Sequence, residues 1–247
     1  MMNKGEGRML ALTITLALSG TLLAACSTND TLRQLEQSGL LRNSGALSLT
    51  DISAGLKEAL TRGSSNVVAK LGRDGGFNAD PAIRIPLPNA LAKAREYASK
   101  VGLDASFNEL QDRLNHAAEI ATPKAKELFL GAIRNMTLQD AKAILQGPSD
   151  AATRFFERNT RTQLAGAMRP LIDDSLSQVG AVNSFNQLLA SYRRIPFAPP
   201  VEADLSTHVL DKGLDGIFHY IAAEEKAIRE NPLERTTDLL RRVFAAQ

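Results

Sequence analysis

The sequence predicts an all-α fold, a single-domain multi-helix bundle over residues 47–247 with a long Gly/Pro-rich loop near 72–89. Three observations predict it. From Ser48 onward, apolar residues recur with a period of about 3.6 nearly everywhere. Polar caps followed by acids open the periodic stretches, and Gly or Pro closes them. No stretch alternates β-branched with polar residues for long, as a half-buried strand would.

The first helix starts at Ser48 and Asp51, an S-x-x-D signal in which each residue satisfies the other's backbone N–H. Leu49, Ile52, Leu56 and Leu60 form its apolar face, while Gly55, Ala59 and Gly63 form a small-residue strip that admits a close neighbour. Leu103, Phe107, Leu110, Leu114, Ala117 and Ala121 mark a second long helix. Thr122 then reads as the cap of another, with Pro123 at its first position, where the missing N–H costs little. Leu128, Phe129, Ala132, Ile133 and Met136 are its buried side. Thr137 and Asp140 repeat the start signal, and Gly147-Pro148 supplies a stop.

Phe155, Phe156, Leu164, Met168, Leu171, Ile172, Leu176 and Val179 continue the period, with Pro170 expected to kink or split that helix. Val182, Phe185, Leu188, Leu189 and Tyr192 make the next helix, and another runs from about Asp204 to Glu230. Asn231-Pro232-Leu233-Glu234 combines cap, first-position proline and acid, and predicts a last helix bearing Leu239, Leu240, Val243 and Phe244.

Two segments depart from the helical period. Gly72 to Asn89 alternates Ile83, Ile85 and Leu87 among glycines and prolines, and is longer than most structureless connections. Its Arg84-Ile85-Pro86-Leu87-Pro88 is echoed by Arg194-Ile195-Pro196-Phe197-Ala198-Pro199-Pro200. The echo reads either as two extended arms docking on the helices, even as a short strand pair, or as coincidence between Pro-rich connectors.

The amino terminus reads as an address. Residues 1–25 form a signal peptide: Lys4 and Arg8 make a basic start, and an apolar run from Met9 ends in Leu23-Ala24-Ala25-Cys26. That ending resembles the bacterial lipoprotein box, in which cleavage falls between Ala25 and Cys26 and the cysteine thiol carries a diacylglyceryl group. Cys26 is the only cysteine of the 247-residue chain and stands where that chemistry needs it. The competing reading is a secretory signal with an incidental cysteine, or a retained anchor. In enterobacterial lipoproteins an Asp after the cysteine implies inner-membrane retention, so Ser27 implies, by resemblance, the outer membrane. Residues 26–46 are polar and read as a tether.

Composition excludes several functions. The charge is +2, from 29 basic and 27 acidic residues, which is no nucleic-acid footprint. Tryptophan is absent and aromatics make up 5%, too few for base-stacking platforms. A lone cysteine allows no internal disulfide, and three histidines leave little material for a His-based metal site.

Candidate chemistry is correspondingly thin. His208, Asp211, Asp215 and His219 are spaced three, four and four, within about 80° of arc on one helix face. Two imidazoles and two carboxylates there are a weak metal candidate, with Lys226 extending the stripe and arguing for a solvated face. Gly72-Arg73-Asp74-Gly75-Gly76-Phe77 is Gly-rich, but lacks the Gly-Lys-Ser/Thr or preceding strand of a phosphate loop, and reads as a turn. Arg154, Arg158 and Arg161 form a basic row that suits anionic headgroups or an acidic partner, or simply solvent. Glu224-Glu225 is a carboxylate pair pointing apart, with Glu225 and Arg229 spaced as an i,i+4 ion pair. No Gly-x-Ser-x-Gly elbow or Ser-x-x-Lys is present, and no catalytic residue is assigned.

A wider pattern runs through Leu47–Leu60, Ile85-Pro86-Leu87-Pro88, Met136–Leu145, Leu214-Asp215-Gly216-Ile217-Phe218 through Glu224-Glu225-Lys226 to Asn231-Pro232, and Arg235–Leu240. Together these stretches resemble an uncharacterised bacterial envelope family, domain of unknown function 4197 (DUF4197). The resemblance implies an exported, mostly helical, single-domain protein and supplies no catalytic residue, cofactor or activity.

The expectation is therefore a lipid-anchored, periplasm-facing outer-membrane lipoprotein, a non-catalytic binding module without a cofactor. Its partners would be the membrane, through acylated Cys26, and an envelope protein. The alternative is a carrier of an apolar small molecule or lipid between helices, with the Gly72–Asn89 loop as lid. An enzyme ranks third.

Overall fold

A computed structural model describes residues 47–137 and 144–245. The expected signal peptide, Ala25–Cys26 cleavage site and tether lie outside the described residues, as does Asp140 of the expected Thr137-Asp140 start signal. Eight α-helices lie within the described residues: α1 (Leu49–Leu71), α2 (Asn89–Ala98), α3 (Asp104–Lys124), α4 (Lys126–Arg134), α5 (Ala151–Gln178), α6 (Ala181–Tyr192), α7 (Leu205–Glu230) and α8 (Asp238–Phe244). All regular structure described is helical, as the period predicts. None of these helices is long and apolar enough to cross a membrane.

α7 is the central element, packed against α5 and α1 and touching α3 and α8. Its Phe218 meets Phe129 of α4 and Phe156 of α5, with ring centroids 5.7–6.4 Å apart and steeply inclined planes. Edge-to-face packing of this kind adds about 0.5–1.5 kcal/mol per pair beyond area burial. α1 supplies the other wall. Ser48 and Asp51 form the expected reciprocal cap, and the small-residue strip admits two helices. A Cβ built on Gly55 would lie 2.7 Å from Val243 Cγ2 of α8, and one on Gly63 would lie 3.2 Å from Glu224 of α7.

Three helix boundaries differ from the expectation. Thr122 does not start a helix: α3 continues to Lys124, and the Thr122 hydroxyl donates to the Ala118 carbonyl at 2.7 Å. Pro123 sits in the last turn of α3, where its ring packs on Gly72; a Cβ there would lie 2.4 Å from Pro123 Cγ. α5 runs unsplit through Pro170. Both Pro170 and Gly166, whose carbonyl loses its helical donor, are exposed, so that carbonyl is left on the solvent side and not stranded in the core. Asn231 caps only a single 3₁₀ turn, Pro232–Glu234, and Thr237 caps α8 afresh. Arg235 explains the interruption: its guanidinium turns back to the carbonyls of Ile228 and Arg229, at 2.9 and 2.5 Å, and closes the end of α7.

The two Pro-rich segments share letters but not environments. In the first, Phe77, Ile83, Ile85 and Leu87 are buried while Arg84 and Pro86 face outward, so this arm docks on the helices. The second is a surface connection whose Phe197 is fully exposed at φ 61°. They form no strand pair.

Candidate functional site

The 72–89 loop and the α3 face beneath it organise the most distinctive surface. α3 presents two buried faces. One is the apolar stripe of Phe107, Leu110, Leu114, Ala117 and Ala121. The other is Asn115, Ala118, Glu119 and Thr122, which repeat at the same helical spacing but carry polar groups.

Those polar groups hold the loop. The Asn115 side chain accepts from the Ile85 N–H at 2.8 Å and donates to the Ile85 carbonyl at 2.9 Å, completing both backbone groups as a strand neighbour would. Glu119, 2% exposed, accepts the N–H groups of Phe77 and Asn78 on Oε1, both at 3.0 Å. The Gly-rich turn thus cradles an anion, and the anion is the protein's own carboxylate. Glycine is required there: Gly75 has φ 74°, and a Cβ on Gly76 would lie 2.3 Å from the Leu71 carbonyl oxygen.

α7 holds the loop from the other side. His208 Nε2 lies 2.7 Å from the Pro86 carbonyl and carries the proton, since a carbonyl can only accept. The Tyr220 hydroxyl donates to the Asp80 carboxylate. That bond holds the Asp80 carboxyl below the usual carboxylate range, against the opposing effect of burial, with the Ala82 N–H, Lys70 and His219 adding to it. The same bond pushes the Tyr220 hydroxyl up. Lys70 sits 3.5 Å above the Tyr220 ring.

Between the turn, the outer side of α3 and the end of α5 lies a cleft of about 1130 Å³. Asp74, Asn78, Asn108, Glu109, His116 and Gln178 are among its walls. Ala79, Ala105, Ile120 and Val179 stand beside them, so the lining is mixed and offers both hydrogen-bonding groups and apolar contact. Arg84 bridges one rim by bonds of 3.0 Å to Asn78 and Asp112. Arg113 bonds the Val179 carbonyl and Glu109, tying the α5–α6 turn to α3. In the same wall, donor atoms of Asp74, His116 and Glu119 all lie within 4.8 Å of one another.

The stripe on α7 does not gather into a metal site. His208 is spent on Pro86, and Asp215 pairs with Arg161 at 2.6 Å and Lys212 at 3.3 Å. Asp211 and His219 are exposed, and the His219 ring stands edge-on to Tyr220. In the basic row, Arg154 pairs with Asp150 at 2.6 Å, and Arg161 with Glu157 at 2.7 Å, leaving Arg158 on the exposed face.

Glu225 and Arg229 do form the expected pair, at 2.8 Å, but it is buried rather than solvated. Glu225 accepts the Ala152 and Thr153 N–H groups at 3.0 and 2.7 Å, capping α5 from across the core. A carboxylate at a helix N-terminus meets both unpaired donors and the positive end of the dipole.

A family profile described as protein of unknown function (DUF4197) matches residues 46–245. The chain belongs to this family. No curated protein and no solved structure matches it significantly. The DUF4197 match covers every described helix, so the loop, the polar face of α3 and the cleft all lie within the family region. Asn115 and Glu119 lie off the apolar stripe by which α3 is legible in the sequence. Their spacing gives no signal in the sequence, since polar residues repeating at three and four beside an apolar face are also what a solvated helix face carries.

Proposed function

We propose that this DUF4197 protein is a lipoprotein, anchored through acylated Cys26 in the outer membrane and facing the periplasm, whose helical domain is a non-catalytic binding module. The Ala25-Cys26 box motivates the anchor. The cleft carries the binding reading: buried Glu119 and Asn115 hold the loop that forms one of its walls, so it is preorganised, and Asn108, His116 and Gln178 put hydrogen-bonding groups among its apolar lining. The partner is an envelope component that presents hydrogen-bonding groups to this cleft.

Two experiments test the proposal. Labelled palmitate should enter the native chain and not Cys26→Ser, which should leave the membrane fraction; label retained by Cys26→Ser overturns the anchor. A photo-crosslinking amino acid placed at Asn108 in the cleft, and at Leu233 on the exposed 3₁₀ turn as a control, should be activated in intact cells. A dominant adduct at 108 that is absent at 233 supports the binding module. The same scatter of neighbours at both positions overturns it.

A further inference from the structure

We propose that Asp74, His116 and Glu119 form a site for one divalent transition-metal ion in the cleft wall. The site stands on its own donor atoms and does not depend on what else the cleft binds.

The donors are one imidazole nitrogen and two carboxylate oxygens. That set suits zinc, manganese or iron(II) better than calcium, which prefers oxygen alone. Ligand bonds of about 2.0–2.2 Å place neighbouring donors of a tetrahedral site about 3.4 Å apart. Glu119 Oε2 and His116 Nδ1 are already 3.2 Å apart, as residues at i and i+3 on one helix face can be. Asp74 is exposed on the turn, and its donor lies within the 4.8 Å cluster.

The support around these donors is what distinguishes the cluster from chance. Glu119 is 2% exposed, and its two oxygens have separate duties: Oε1 is fixed by two backbone N–H groups, while Oε2 is hydrogen-bonded only to His116 Nδ1, a contact the ion would replace by ligating both atoms. Hydrogen bonds to a ligating carboxylate orient it in this way in metal sites. The same turn that supplies those N–H groups also carries Asp74, so one backbone conformation sets a ligand and its outer support. The site brings two carboxylates together in the cleft wall, and a dication offsets their charge. The open side of the cleft leaves coordination positions for water or a ligand atom.

The test uses the full chain, extracted in detergent without a polyhistidine tag and stripped with chelator. Zinc chloride is titrated into it calorimetrically, and thermal unfolding is followed with and without zinc. One ion per chain is expected, with a raised melting temperature. Asp74→Asn and His116→Ala should each weaken binding at least tenfold and abolish the thermal shift, while circular dichroism shows both folded. His219→Ala, on the α7 stripe, should bind like the native chain. Absence of saturable binding, or an affinity that either Asp74→Asn or His116→Ala leaves unchanged, overturns the site. Because Glu119 also holds the loop, it is left intact in this test.

Discussion

Glu119 shows how one buried side chain can set a local structure. Removing it as Glu119→Ala strands the Phe77 and Asn78 N–H groups away from water, at about 1–3 kcal/mol for each unsatisfied donor. We expect Glu119→Ala to lose about 2–5 kcal/mol in urea denaturation, and Glu119→Gln to lose clearly less because its amide oxygen still accepts. Equal losses would contradict the role of the two N–H bonds. The Tyr220–Asp80 bond predicts a pH dependence. Asp80 is held below its ordinary value, so its contribution is present above about pH 4 and is lost as pH falls through the folded-state pKa. Tyr220 is raised, so that part is present below about pH 10 and is lost as pH rises further. The destabilisation caused by Tyr220→Phe should therefore shrink between about pH 6 and about pH 2.5 in urea titrations. A constant difference would show that the bond does not discriminate between the ionised and neutral acid. None of these partners was legible in the sequence, because Asp80, Glu119 and Glu225 meet groups that are distant along the chain. The i,i+4 relation of Glu225 and Arg229 was legible, but its burial was not, since that depends on α5 arriving at Ala152.

At the scale of elements, signals confined to one helical turn read correctly and those depending on a neighbour did not. The Ser48–Asp51 box needs only four consecutive residues and forms as expected. Thr122-Pro123 has the letters of a start, yet the Pro123 ring is committed to Gly72 and both residues lie in the last turn of α3, which ends at Lys124. Asn231 caps one turn before Arg235 folds back onto α7. The Gly55–Ala59–Gly63 strip was legible as a close approach, though not which helices would make it. It yields a prediction. Gly55→Ala gains about 1 kcal/mol of helix propensity, but its Cβ meets Val243 at 2.7 Å, an overpacking that typically costs 1–3 kcal/mol. The single substitution should destabilise. In a Val243→Ala background the 2.7 Å contact is removed and only a 3.1 Å approach to the Cβ at 243 remains, so Gly55→Ala should cost clearly less, giving a coupling of about 1 kcal/mol or more in a double-mutant cycle. Additive effects would mean that α1 and α8 do not touch there.

For the whole molecule, the outcome turns on whether residues 72–89 are a lid over the helices or part of what the helices pack around. Length and Gly/Pro content made a lid reasonable from the sequence, because sequence pattern alone does not say which way Ile83, Ile85 and Leu87 face. Four buried side chains, a buried asparagine spanning Ile85, a buried carboxylate under Phe77 and Asn78, and contacts from α7 at both Asp80 and Pro86 make the loop a component of the core. Ile83 and Phe77 also fill the space that a side chain at Gly216 of α7 would need. A lid opens with a small free energy, whereas a core segment opens only with the domain. Amide hydrogen exchange separates the two. The Phe77, Asn78 and Ile85 amides, all bonded to α3 side chains, should exchange as slowly as the buried turns of α3 around Leu114 and share their denaturant dependence. Exchange at the rate of exposed connections such as 194–200 would instead mean that the loop leaves the core on its own, and would return the carrier with its moving lid as the better account. Slow, cooperative exchange fixes the cleft wall as rigid, and a partner would then bind to a surface that exists before it arrives.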